Sequence, residues 1–192
     1  IGLYSIYNAT KNNNSDTISF EPSTSNLRVL SRNISINNLE NKIKIFPMPL
    51  TNVQNKFLLM NEGNFIEGGA LNAFGEKFDF EGKEFNSKMK YTLFGTNIKY
   101  LLENNILETP NYIKIDVDGI EHLILKGAGK FLSDPKIMSL SVEINENFKD
   151  QYKNIIKILE EAKFKILQKK RNEEFIVTGS KFENTYNYIF TR

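Results

Sequence analysis

The 192-residue sequence predicts an α/β fold with a mostly parallel, doubly wound sheet and a terminal antiparallel hairpin. Two observations favour this fold. Short strand-like apolar runs alternate with segments whose apolar residues recur at helical spacing. The apolar content of 40% and the charged content of 25% are those of a globular chain with a buried core. Because strands alternate with helices, right-handed crossovers should keep most strands parallel, within one domain over residues 1–192.

The first half of the chain predicts three strands and one helix. The helix should begin near Ser23 and Thr24, whose hydroxyls can cap it. Its apolar face should contain Leu27, Leu30 and Ile34, which follow one another at helical spacing. The strands are predicted over residues 17–20, 43–46 and 57–60.

The second half begins with an irregular stretch and then alternates again. Residues 61–86 are rich in Gly, Asn, Phe and Glu and lack a clear period, which is typical of a functional loop. Helices are predicted around residues 98–102, 119–126 and 152–159, and strands over 112–116, 138–144, 165–167, 174–177 and 186–191. The last two strands are predicted to form the hairpin.

The composition excludes several kinds of site and partner. A formal net charge of +2 does not call for a nucleic acid, and 0 Cys excludes disulfides and thiolate chemistry. The sequence shows no His, Asp and Glu cluster with ligand spacing, so no metal is predicted. It also has no apolar run of membrane-spanning length and no signal-peptide pattern at its start. We therefore expect a cytoplasmic protein, of which this chain, lacking an initial Met, is an internal part.

Three acids, Glu21, Asp116 and Glu143, follow or end predicted strands. In open α/β sheets, ligands bind beyond the carboxyl ends of the strands, so these positions are candidates for a site. Glu21 could accept hydrogen bonds from both ribose hydroxyls of a nucleoside cofactor. It could equally be a solvated acid that stabilises the start of the next helix.

The segment around Asp116 is the more informative one. Asp118 and Glu121 have the spacing of a capping box, so both can simply begin the next helix. Asp116 has no such role, and an acid at the end of an apolar strand usually needs a partner or a ligand. The single histidine, His122, could be a general base, although a lone histidine on a helix is more often a surface residue.

Taken together, these segments resemble the FkbM-type methyltransferase family. The resemblance lies in Gly2-Leu3-Tyr4-Ser5, Phe20-Glu21-Pro22-Ser23 with its continuation to Asn33, Lys114-Ile115-Asp116-Val117-Asp118-Gly119-Ile120-Glu121, and Ser141-Val142-Glu143-Ile144. It implies a Rossmann-like class I methyltransferase fold. It also implies methyl transfer from S-adenosylmethionine to a hydroxyl of a sugar, a glycan or another natural product.

The resemblance also assigns roles to individual residues. Gly2 would lie under the methionine moiety, Glu21 would hold the ribose, and Asp116 would face the reacting end of the cofactor and the acceptor. The implied cofactor-binding residues are Gly2, Leu3, Tyr4, Glu21, Pro22, Met48, Pro49 and Asp116. Met48 and Pro49 would line the adenine. As a catalytic base, Asp116 is the first candidate and His122 the second.

Two features depart from the family pattern. The first strand that should precede Gly2 is missing, and the helix before the central strand reads Thr96-Asn97-Ile98-Lys99 where the family usually has an acid. Two alternatives therefore stay open: a nicotinamide-dependent oxidoreductase that shares Glu21, and a non-catalytic interaction domain. Four phenylalanines of the 61–86 stretch would form a substrate cover or simply pack the loop; they are Phe65, Phe74, Phe78 and Phe80.

Overall fold

A computed structural model describes residues 1–171, 173 and 177–192. Its helices are α1 (Leu3–Lys11), α2 (Thr24–Ile36), α3 (Ile98–Glu103), α4 (Glu121–Ala128), a 3₁₀ helix (Gly129–Ser133) and α5 (Lys149–Glu161). Its strands are β1 (Thr17–Phe20), β2 (Ile43–Phe46), β3 (Lys56–Glu62), β4 (Asn72–Phe74), β5 (Met89–Gly95), β6 (Tyr112–Ile115), β7 (Ser139–Asn145), β8 (Lys165–Lys170) and β9 (Thr185–Thr191). The α/β class is confirmed.

The described strands form three sheets and not one mostly parallel sheet. The strand orders are β1-β2, β4-β3-β5 and β6-β7-β9-β8. Parallel pairing occurs between β1 and β2 and between β6 and β7, where a helix connects the two strands. The pairs within β4-β3-β5 and those made by β9 are antiparallel. The prediction of a mostly parallel sheet was therefore wrong, because several connections lack the helix that a parallel crossover usually uses.

The terminal hairpin pairs different segments from those predicted. β9 pairs antiparallel with β8, which lies at 165–170, and also with β7. Residues 174–176 of the strand predicted over 174–177 lie outside the described residues. β9, the last strand of the chain, therefore lies between β8 and β7, the strand that contains Glu143.

The 61–86 stretch is more regular than expected. β3 extends to Glu62, and Asn72–Phe74 forms β4, which pairs with it. β5, which the sequence analysis missed, pairs along the whole of β3. Its apolar residues alternate with Lys90 and Thr92, and that alternation is a signal for a half-buried strand that could have revealed it.

Two apolar clusters hold these elements together. In the larger one, one face of β6-β7-β9 packs on α4 and α5, and its fully buried members include Leu125, Leu140, Val142, Ile144, Ile155, Leu159 and Phe190. The smaller cluster joins α1, α2 and β2 through Ala9, Leu30, Ile34, Leu39 and Ile43. Because side chains alternate along a strand, the opposite face of β6-β7-β9 carries polar residues such as Lys114, Ser141, Glu143 and Asn187, all half-buried.

Helix α1 connects the two parallel pairs. Ser5 Oγ hydrogen-bonds to Ser19 Oγ of β1 at 2.7 Å, and Lys114 Nζ of β6 lies 4.9 Å from the Tyr4 ring centroid. Among the described residues, β1 has β2 as its strand neighbour and β6 has β7, so each has one edge without a strand. The expectation that a further strand belongs between them stays a prediction.

Candidate active site

The carboxyl ends of β1, β6 and β7 carry the three acids that the sequence singled out. Glu21 follows β1, Asp116 follows β6, and Glu143 lies near the end of β7. Parallel pairing places Ile115 opposite Val142, so the next residues along, Asp116 and Glu143, are neighbours. The structure therefore brings two of the three acids together, and α1 lies between them and Glu21.

Glu21 is half-buried at the start of α2. Its Oε1 accepts a hydrogen bond from the Ser23 backbone N–H at 3.0 Å. Burial raises the pKa of Glu21, and the hydrogen bond from Ser23 partly offsets this. Within the part of the chain that the structure describes, Oε2 accepts no hydrogen bond, so this oxygen can accept one from a ligand hydroxyl.

The Ser23 cap is confirmed. Its Oγ accepts a hydrogen bond from Asn26 N at 3.3 Å, and the helix begins at Thr24. Leu30 and Ile34 of the predicted apolar face are buried. A stable first turn of α2 fixes the backbone that holds Glu21.

Asp116 is exposed but firmly paired. Its Oδ2 lies 3.1 Å from Lys114 Nζ, and the same ammonium donates a 2.6 Å hydrogen bond to Asn187 Oδ1 of β9. Asn187 is in turn the cross-strand partner of Glu143. Lys114 thus links β6 to β9 and contacts Tyr4 of α1 as well. These contacts restrict where the Asp116 carboxylate can point.

The carboxyl of Glu143 lies next to that of Asp116, because each acid follows directly after the paired residues Ile115 and Val142. Burial raises the pKa of Glu143 to about 7, and the charge of Asp116 and the hydrogen bond between the two carboxyls add to this effect. The positive charge of Lys114 partly offsets it. Two carboxyl groups can share a hydrogen bond only while one of them is protonated, so the pair holds one proton up to about neutral pH.

The capping-box prediction for Asp118 was wrong. Ile120 is the N-cap residue of α4 and makes no side-chain cap. Asp118 has a positive φ of 27°, and its Oδ2 accepts hydrogen bonds from the N–H groups of Leu71 at 2.6 Å and Asn72 at 3.0 Å. The 71–72 backbone competes successfully for this carboxylate because it lies close in space. Sequence spacing cannot show that.

Glu121 does reach back to the preceding turn, as the capping box requires of it. It is buried, and its Oε1 accepts hydrogen bonds from Val117 N at 3.1 Å and Gly119 N at 3.4 Å. Its Oε2 accepts a 2.5 Å bond from Gln151 Nε2 of α5. These bonds fix the turn that immediately follows Asp116.

His122 lies in an aromatic setting. Its ring centroid is 6.4 Å from that of Phe78 and 6.1 Å from that of Phe148. Its Nδ1 is buried and has no hydrogen-bond partner among the described residues. Burial lowers the pKa of His122, with Lys126 adding to the effect, so the imidazole is neutral near pH 7. Its role as a base stays a prediction.

The other predicted cofactor contacts lie around the start of α1 and after β2. Leu3 and Tyr4 are exposed by 69% and 57%, so both can contact a ligand. Gly2 adopts a φ of 83° at the start of α1, and a Cβ at this position would lie 2.3 Å from Leu30 Cδ1. A side chain at Gly2 would therefore strain the left-handed backbone and require Leu30 to move.

Pro22, Met48 and Pro49 differ in their accessibility. Pro22 and Met48 are half-buried and retain surface for a ligand. Pro49 is buried, and a Cβ at Gly95 of β5 would lie 3.1 Å from its Cγ. Pro49 therefore packs beneath β5, whereas Met48 keeps an accessible side chain.

A buried acid that was not predicted from the sequence lies near Glu21. Glu62, at the end of β3, is 1% exposed, and its Oε1 accepts a 2.5 Å hydrogen bond from Tyr91 Oη of β5. Tyr91 Oη also accepts a 3.3 Å bond from Thr24 N at the start of α2. Burial and the bond to Glu62 raise the pKa of Tyr91 to about 12. A glutamate that ends an apolar strand was the available signal.

The predicted aromatic cover is only partly available. Phe74 and Phe80 are 2% and 7% exposed, so they pack the interior and cannot stack on a substrate. Phe65 is 49% exposed, and Phe78 is half-buried beside His122. Residues 68–69 of the loop are nevertheless bound to α2. Asn26 of α2 accepts a bond from Gly68 N and donates one to Gly69 O, each at 2.9 Å.

Two negative findings apply to residues 1–171, 173 and 177–192. Across these residues, His, Asp and Glu side chains form no group of three or more that could hold a metal ion. The helices of the same ranges are too short or too polar to cross a membrane.

A surface cleft between α5 and β8, lined in part by Ile156, Phe164 and Ile166, lies at the opposite end of the strands from the acids.

The fold and its acids define an α/β protein with a candidate ligand site at the carboxyl ends of its parallel strands. The model of the methyltransferase FkbM domain family matches residues 2–166. The chain therefore belongs to this methyltransferase family, as the sequence resemblance predicted.

One solved structure supports the fold independently. The crystal structure of methyltransferase FkbM from Methylobacillus flagellatus KT, at 2.20 Å resolution, is similar with a TM-score of 0.60 and 15% sequence identity. The similarity covers 97% of this chain and 40% of that one, so the chain spans less than half the length of that protein. The search of curated proteins found no match.

Proposed function

We propose that the protein transfers a methyl group from S-adenosylmethionine to a hydroxyl of a sugar, a glycan or another natural product. The observation that carries this proposal is the placement of two different acidic groups on either side of the start of α1. Glu21 offers a free carboxylate oxygen beside β1, and the Asp116–Glu143 pair lies beside β6. Glu21 suits binding of the cofactor, and the Asp116–Glu143 pair suits removal of a proton from the acceptor hydroxyl.

The residues around Glu21 fit a nucleoside cofactor. Glu21 Oε2, which is free to accept a hydrogen bond, would bind ribose hydroxyls. Leu3 and Tyr4 expose their side chains at the start of α1, and the first N–H groups of a helix have no partner within it, so they would suit a ligand. Pro22 and Met48 would add apolar contact. When bound, S-adenosylmethionine would supply a methyl group activated by a positively charged sulfur.

Asp116 would orient the acceptor hydroxyl and accept its proton. A hydroxyl is a weak acid, so a nearby carboxylate helps its oxygen to become nucleophilic as the reaction proceeds. The ion pair with Lys114, at 3.1 Å, limits rotation of the Asp116 carboxylate. His122 remains the second candidate, although its surroundings are apolar and its Nδ1 is buried.

Glu21 does not distinguish methyl transfer from the nicotinamide-dependent alternative, because both would use an acid at this position. Family membership favours methyl transfer. Titration calorimetry with S-adenosylhomocysteine and, separately, with NADH tests this choice. We expect binding of S-adenosylhomocysteine alone. Binding of NADH alone would replace the proposal with the oxidoreductase, and binding of neither would favour an interaction domain.

The same measurement tests the role of Glu21. Glu21→Ala should weaken binding of S-adenosylhomocysteine by about 1.5–3 kcal/mol for each charge-assisted hydrogen bond that is lost. Glu40→Ala, at an exposed position before β2, is the control and should bind as wild type does. Unchanged affinity in Glu21→Ala would remove Glu21 from the binding site.

A further inference from the structure

The carboxyl pair has features that a single catalytic acid would not need. Glu143 is half-buried on β7, and its partner Asp116 is exposed after β6. The exposed member can contact an acceptor, whereas Glu143 is the less accessible of the two. Lys114 joins the pair from β6, and Asn187 of β9 holds the ammonium from the other side.

The charges around the pair are few and unequal in sign. The charged groups that act on Glu143 are Asp116 and Lys114 on or next to β6, and Asp118 in the turn that follows. From β9 the neighbouring side chain is the uncharged amide of Asn187, and from α1 it is Tyr4, which touches Lys114. Three carboxyls thus face one ammonium, so the site favours retention of one proton.

We propose that the base of this methyltransferase is the Asp116–Glu143 pair, in which Asp116 contacts the acceptor hydroxyl and Glu143 is a positioning residue that shares the proton taken up. This inference rests on the proposed function and extends it to a residue without an assigned role. In the reaction, the hydroxyl oxygen forms a bond to the methyl carbon, and the carbon–sulfur bond breaks with its electron pair left on sulfur. The hydroxyl proton passes to Asp116, is shared with Glu143, and is later released to water.

The pair differs from a lone carboxylate in the pH range in which it can act. Below neutral pH the pair already holds a proton, and above it both carboxyls are ionised and can accept one. Turnover should therefore rise as pH increases through about 7, which matches the pKa of Glu143. A limb at this pH depends on Glu143, because its raised pKa lies near 7.

The decisive experiment compares the pH profiles of methyl transfer by wild type, Glu143→Gln and Lys114→Met on one surrogate polyol. Glu143→Gln should move the rising limb at least one pH unit towards acid and lower the plateau roughly tenfold, because a weaker base drives proton transfer less. Lys114→Met removes the positive charge that opposes protonation of Glu143, so the rising limb of its pH profile should move towards alkaline pH. Glu146→Gln is the matched control, since Glu146 pairs with Lys169 and Tyr188 instead of Asp116 and should leave the limb in place.

A second measurement follows the proton directly and needs no cofactor. Carbon-13 NMR of labelled Asp and Glu carboxyls should show Glu143 titrating near neutral pH in wild type and at lower pH in Asp116→Asn, where the neighbouring charge is gone. If Glu143 titrates at the same pH in wild type and in Asp116→Asn, the two carboxyls do not share a proton and the shared base is overturned.

The outcomes separate this inference from the proposed function. If wild type transfers methyl groups and Glu143→Gln keeps the rising limb at the wild-type pH, the shared base is overturned and the function stands. If wild type neither binds S-adenosylhomocysteine nor transfers a methyl group, both are overturned. Opposite shifts of the limb in Glu143→Gln and Lys114→Met, with the carboxyl titration near neutrality, support both.

Discussion

Gln151 of α5 donates a 2.5 Å hydrogen bond to Glu121 Oε2, and both side chains are buried. The other oxygen of Glu121 accepts hydrogen bonds from Val117 N and Gly119 N, in the turn that follows Asp116. A single carboxyl group therefore connects α5 to the turn that positions the candidate base. Burial raises the pKa of Glu121 to about 8, so near neutral pH the folded protein holds a proton there that the unfolded chain releases.

Glu121 should make the protein less stable as pH rises. Since its pKa is higher in the folded state than in the unfolded state, the folded state binds more protons between pH 5 and 8. The free energy of unfolding should then fall by up to about 1.4 kcal/mol per pH unit from this group. Glu121→Gln keeps the shape but cannot ionise, so its denaturation curves should lose this slope. Equal slopes for wild type and variant would exclude Glu121 as the source, and Glu161→Gln on the exposed end of α5 is the control.

Asp116→Asn should separate chemistry from binding. Asn is nearly isosteric but is not a base, so turnover on a surrogate sugar should fall by about 10²–10⁴. The affinity for S-adenosylhomocysteine should change little, because the interaction acts mainly in the transition state. Melting curves should stay close to those of wild type, since the carboxylate is exposed. A variant with wild-type turnover would leave Asp116 without a catalytic role, and His122→Ala would be the next test.

Asp118→Ala should loosen the segment that precedes β4. The Asp118 carboxylate accepts hydrogen bonds from Leu71 N and Asn72 N, and its loss would leave both donors without a partner. Hydrogen exchange at these two amides should become roughly tenfold faster or more. Asp150→Ala, on the exposed start of α5, should leave them unchanged. Unchanged exchange in Asp118→Ala would show that other contacts hold the segment.

Gly127→Ala should destabilise the fold. Within α4, a Cβ at Gly127 would lie 2.2 Å from Thr51 O and 3.0 Å from Asn97 Cβ, so the helix would have to move away. Such overpacking typically costs about 1–3 kcal/mol, which chemical denaturation can measure. Lys126→Ala on the exposed side of α4 should change stability much less. A Gly127→Ala variant as stable as wild type would mean that α4 shifts freely.

The local pattern of the sequence was enough to place much of the chain correctly. The strands 17–20, 43–46 and 112–115 and the capped helix after Ser23 were predictable because strand alternation, capping hydroxyls and apolar spacing act over neighbouring residues. The acids at strand ends were found for the same reason. The family motifs, which the match over residues 2–166 confirms, are also contiguous segments.

Long-range contacts decided what the sequence could not. Glu143 became Asp116's partner because β6 and β7 pair in parallel, and Asp118 lost its predicted cap because the backbone of Leu71 lies within hydrogen-bond distance. The same holds for Glu62 and Tyr91, which are 29 residues apart and meet only when β3 pairs with β5. The sequence by itself determined which groups are available for chemistry. The tertiary structure decided which of them share a proton, because hydrogen bonds and charge coupling depend on distances in space and not on spacing along the chain.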